Sequence, residues 1–214
     1  MRCTVSESPK YTDDSREVFM KRNSKRPDTE KLVLIALFTA LVAILAYFGG
    51  FIKIGGLASI SLTLIPVVLG AAMCGPFIGA WLGAVSGAVF FLTADAAFWL
   101  GLSIPGTIIT VMVKGTAAGL LAGLVYTALE KFNRYAAVLV SAVVAPVVNT
   151  GIFLLGSMIF FIDTVDAGAA AEGMSVGGYL IVFFVGLNFV FELLVNIILS
   201  PAILRIINIK KRSR

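Results

Sequence analysis

Histidine is absent from the 214-residue chain, cysteine occurs only twice, and 14% of the residues are charged. Without histidine there is neither a Ser-His dyad nor an H-E-x-x-H metal site. The pattern G-x-x-x-x-G-K-[ST] is missing too, so the chain carries no P-loop with which to hydrolyse ATP. Together these absences argue against an enzyme and against a cofactor of its own. A charged fraction of 14% also lies well below the roughly 25% of an ordinary soluble domain.

Hydrocarbon fills the space that charge leaves. Hydrophobic residues make up 59% of the chain, and the mean hydropathy is +0.99. The apolar runs are about 17 to 25 residues long, enough to cross roughly 30 Å as helix, and they lack the strict alternation of a membrane β-barrel. The expected fold is an all-α integral membrane protein with a six-helix bundle. Its spans are read at 32–52, 58–74, 76–94, 105–129, 136–161 and 178–207. Gly75 and Pro76 end the second span and start the third with almost no loop between them.

Lys and Arg set the orientation, because cytoplasmic flanks carry the excess. Fifteen of the seventeen fall before span one, in the 4–5 loop (Lys131, Arg134) or at the C-terminus, whereas the 5–6 loop has Asp163, Asp166 and Glu172 and no base. Both termini are therefore expected in the cytoplasm, and the net charge of +5 is a topology signal that gives no support to nucleic-acid binding. Residues 1–30 are polar, of mixed charge and without an apolar leader segment. They read as a disordered cytoplasmic tail ahead of a membrane domain at 31–209, with a short basic tail at 210–214. Cys3 and Cys74 fall on the cytoplasmic side of this arrangement and are expected as free thiols.

Three small-residue stripes stand out. Gly79, Gly83 and Gly87 in span three, and Gly115, Gly119 and Gly123 in span four, let a neighbouring backbone approach closely. Ala36 and Ala40, extended by Ala43, form a similar face on span one, which serves either internal packing or the docking of another subunit.

Buried polar groups carry more information, since a charge at a helix centre costs roughly 2.5–3.5 kcal/mol and persists where it is paired or lines a wet cavity. Lys114 lies in span four, Asn149 in span five, and Asn188, Glu192 and Asn196 follow one another at steps of four along span six. Steps of four keep the last three on one stripe. A single outward-facing pocket among spans four, five and six would use Lys114, Asn149, Asn188 and Glu192. The alternative is a Lys114–Glu192 ion pair with Asn149 as interhelical glue. Asn196 lies deeper and is expected to tie span six to a neighbour. Lys53 in the first outer loop, and Asp95 with Trp99 in the second, are placed at the pocket mouth, Trp99 also being read as an interfacial anchor.

The order of these features resembles a known family. Ala36-x-x-x-Ala40, "TLIPVVLGAAMCGPFIGAWLGAVSG" at 63–87, "VMVKGTAAGLLAGLVY" at 111–126, "APVVNTGIF" at 145–153 and "NFVFELLVNIILSPAI" at 188–203 are similar to the substrate-binding S components of energy-coupling factor (ECF) vitamin transporters. The pantothenate-type members are the most similar. The resemblance implies a multi-pass plasma-membrane receptor that binds a vitamin on its outer side. It also implies a transmembrane coupling subunit docked on Ala36 and Ala40, and two cytoplasmic ATPases that use the ATP. Folate, riboflavin or another vitamin in place of pantothenate remains open, as do a stand-alone ion-coupled secondary transporter working through Glu192 and a purely structural membrane protein.

Overall fold

The computed structural model describes residues 29–49 and 62–212, the side chains of 183–185, 187–188 and 209–212 excepted. By contacts the chain divides into Met1–Val33 and Leu34–Arg214, and the architecture below is that of the second unit. Helix α1 is Thr29–Gly49, α2 is Leu64–Cys74, α3 is Pro76–Phe90, α4 is Ala94–Leu102 and α5 is Ile104–Leu129. They are followed by α6 at Arg134–Phe160, α7 at Ile162–Ala171, a short α8 at Val176–Tyr179, a π-helical turn at Leu180–Val185, and α9 at Gly186–Arg212. No strand occurs among the described residues.

Local chemistry sets these limits. Gly75 joins α2 to α3 at φ 106°, a conformation that a side chain disfavours, and Pro76 follows as a first helical residue whose missing N–H costs nothing there. Ser103 Oγ accepts the Gly106 N–H to cap α5. Asn133 Oδ1 accepts from the N–H groups of Tyr135 and Ala136 to start α6.

Length and composition allow four helices to cross hydrocarbon: Thr29–Gly49, Ile104–Leu129, Arg134–Phe160 and Phe189–Asn208. The pair Pro76–Phe90 and Ala94–Leu102, bent by 84°, makes a fifth candidate. The expected third span thus stops at Phe90 instead of 94, where the chain turns sharply into α4. Within the expected second span, the described helix is only the 11 residues of α2, which reach about 16 Å at 1.5 Å per residue. The sixth span is interrupted at Leu180–Val185, the 5–6 loop contains α7, and α9 runs on to Arg212, so the basic end at 210–212 continues the helix.

Two apolar clusters occupy opposite ends of the bundle. One gathers Phe38, Val42, Leu82, Tyr126, Val138, Ile203 and Ile207. The other gathers Trp99, Phe161, Val165, Ala169 and Tyr179 around α4 and α7. Between them α3 and α5 meet backbone to backbone. A Cβ built on Gly83 would strike the Gly115 carbonyl oxygen, one on Gly115 the Gly83 carbonyl oxygen, and Gly79 and Gly119 oppose each other in the same way. The glycine stripes are therefore internal packing, and they bring α5 close enough to α3 to carry Lys114 into the bundle.

Candidate functional site

Beside the glycine contact lies a cavity of about 70 Å³, room for several waters. Its apolar wall comes from Leu45, Ala46, Leu64, Val67, Phe90 and Val111, and Gly49, Gly83, Gly87 and Gly115 open the space. The polar lining is Thr63, Ser86, Thr93, Lys114 and Asn149. Five helices or their ends contribute, from α1, α2, α3, α5 and α6.

Lys114 is half-buried, and its Nζ lies 4.6 Å from the centroid of the Phe153 ring and 5.8 Å from that of Phe90. Aromatic faces attract a cation at such distances but do not take the place of a hydrogen-bond acceptor such as a carboxylate. Asn149, one helix away, adds an amide that both donates and accepts. A cation and an amide lining one cavity suit a carboxylate, which takes charge-assisted hydrogen bonds from such donors.

Glu192 behaves differently from the expectation. It is 4% exposed and does not line the cavity, and its Oε1 has no hydrogen-bond partner among the described residues. No ion pair within 4.0 Å joins it to Lys114. The direct salt bridge foreseen as the alternative is therefore not formed. Instead of spans four, five and six, the cavity is lined by spans one to five.

The remaining sequence candidates separate. Asn196 is buried, and its Nδ2 donates 2.8 Å to the Glu192 carbonyl, so it ties α9 to its own preceding turn and not to a neighbour. Asp95 and Trp99 sit on α4, not in a loop, and both are buried. The Trp99 ring stacks edge-on against Phe153 and Phe161, and its carbonyl accepts from Thr107 Oγ1 at 2.7 Å, which makes it a core residue and not an interfacial anchor. Asn188 belongs to α9 but its side chain is outside the described residues, as is all of Lys53. Ala36 and Ala40 are exposed on α1, whereas Phe38 and Val42, about 200° around the helix, are buried. Thr63, Ser86, Thr93 and Phe90 were not legible as site residues, although Ser86 adjoins the Gly87 of a stripe already singled out.

A model of the family described as "ECF transporter, substrate-specific component" matches residues 30–204, which takes in every helix from α1 through most of α9. The chain belongs to that family. It is thus the substrate-binding subunit of a transporter and not an enzyme, a multi-pass protein of the plasma membrane. S components work with a membrane coupling subunit and ATPases, which accounts for a transport protein without a P-loop. No curated protein and no solved structure matches the chain. In this S component Lys114 and Asn149 line one cavity.

Proposed function

We propose that this S component captures a water-soluble vitamin bearing a carboxylate, pantothenate first among them, in the cavity that holds Lys114 and Asn149. One observation carries the proposal: a cation and an amide on neighbouring helices share a space inside an otherwise apolar bundle, with neither spent on a hydrogen bond among the described residues. Pantothenate has a carboxylate for Lys114, an amide and hydroxyls for Asn149 and the cavity hydroxyls, and an apolar middle for the Leu64, Val67 and Val111 wall. Asn188 and Lys53 complete the outer side of the site.

In the same proposal the chain crosses the membrane six times with both termini cytoplasmic, as the distribution of Lys and Arg favours. The exposed Ala36–Ala40 face then lies near the cytoplasmic end of α1, where small residues let a coupling-subunit helix approach closely. The protein needs no cofactor, ATP being consumed by its partners. Mass spectrometry of the ligand that co-purifies with the chain, followed by calorimetry with pantothenate, riboflavin and folate, tests the assignment. Pantothenate is expected in the purified protein and as the tightest binder. Preference for riboflavin or folate would reassign the substrate.

A further inference from the structure

Hydroxyls in an apolar helix ordinarily donate to the carbonyl one turn back. Thr39, Thr127, Ser157 and Ser200 all do so here. Ser86 does not. Its Oγ reaches out of α3 and donates to Thr63 Oγ1 at the start of α2, 3.2 Å away, and both side chains line the cavity that holds Lys114 and Asn149. With its proton engaged there, Ser86 Oγ keeps its lone pairs for a donor inside the cavity. Lys114 is the wrong partner for a ligand hydroxyl's proton, since an ammonium only donates. Ser86 thus adds a fixed acceptor to a cavity whose cation can only donate.

We infer that Ser86, held in place by Thr63, is a specificity-determining residue that accepts a hydrogen bond from a ligand hydroxyl while Lys114 and Asn149 hold the same ligand's carboxylate. The substrate class is a small hydroxy-carboxylate, and the inference rests on the cavity being the substrate site. A carboxylate without a suitably placed hydroxyl binds through one end only and leaves Ser86 Oγ unmatched, which is how a site built around a hydroxyl rejects an analogue lacking it.

The test is calorimetry on the purified chain with pantothenate and with analogues in which one hydroxyl at a time is replaced by hydrogen. Wild type is expected to prefer pantothenate over one of these by about tenfold, the size of one hydrogen bond. Ser86→Ala should weaken pantothenate and leave that analogue unchanged, erasing the preference, and Ser86→Thr should restore it. Lys114→Met should weaken every ligand alike. Should Ser86→Ala lose its thermal transition in detergent, Ser86→Cys, with nearly the same volume and a weak acceptor, replaces it and should lose the preference too. If the preference survives in Ser86→Ala while Lys114→Met abolishes binding, the cavity stands and the role of Ser86 falls. Unchanged binding in Lys114→Met removes the substrate from this cavity altogether, and no pantothenate binding by the wild type overturns the inference with it.

Discussion

Adding a single methyl group at Gly83 tests the packing on which the cavity depends. In the folded chain a Cβ at that position falls inside the van der Waals envelope of the Gly115 carbonyl oxygen and also meets the Gly115 carbonyl carbon and the Thr116 nitrogen. All three are backbone atoms of α5, so no side-chain rotation relieves the overlap. Restoring an ordinary C···O separation of about 3.3 Å requires α3 and α5 to move apart by well over 1 Å. That movement also loosens the contacts between Gly79 and Gly119 and between Gly87 and Val111, which forfeits dispersion along the whole ribbon. Overpacking of this kind costs about 1–3 kcal/mol, and a backbone-on-backbone clash belongs at the upper end. At about 2–4 °C per kcal/mol for a chain of this size, Gly83→Ala should lower the unfolding midpoint in detergent by roughly 6–12 °C. Gly151→Ala is the control. Nothing lies within 4 Å of a Cβ at Gly151 inside α6, so the change should be neutral or raise stability by about 0.5–1 kcal/mol through helix propensity. Equal midpoints for the two variants would refute the close approach of α3 and α5, and with it the position given to Lys114.

Three further outcomes are expected. Glu192→Gln leaves the cavity lining untouched, so affinity for pantothenate should hold; a tenfold loss by calorimetry would instead put Glu192 against the ligand. Enlarging Ala36 and Ala40 together to Leu should abolish uptake in cells and leave pantothenate binding by the isolated chain intact, because both side chains point away from the core. Loss of both properties would make the face ordinary packing. The chain alone in liposomes should bind pantothenate without concentrating it under any sodium or proton gradient, and should accumulate it once a coupling subunit, two ATPases and ATP are supplied. Gradient-driven accumulation by the lone chain would sink that division of labour.

Composition and periodicity alone established a helical membrane protein, placed α5 and α6 within two residues of their observed ends, and singled out the glycine stripes and the Ala36–Ala40 pair. Those properties belong to single segments: apolar length decides insertion, and a step of four decides which residues share a stripe. Lys114 and Asn149 were also legible, because an ammonium or an amide deep in an apolar run has no inexpensive solution and so announces itself. What the segments do to one another was decided by the tertiary structure. The 84° turn after Phe90 took Trp99 from the expected interface into the core, and Lys114 came to lie against the rings of Phe90 on α3 and Phe153 on α6. Glu192 matched Lys114 in depth, but depth does not specify which neighbouring helix a side chain faces, and it lies buried outside the cavity. Ser86 and Thr63 gave no signal in the sequence, since a hydroxyl is usually satisfied by its own helix at little cost. Only the packing of α2 against α3 brought those two oxygens together on the wall of the site.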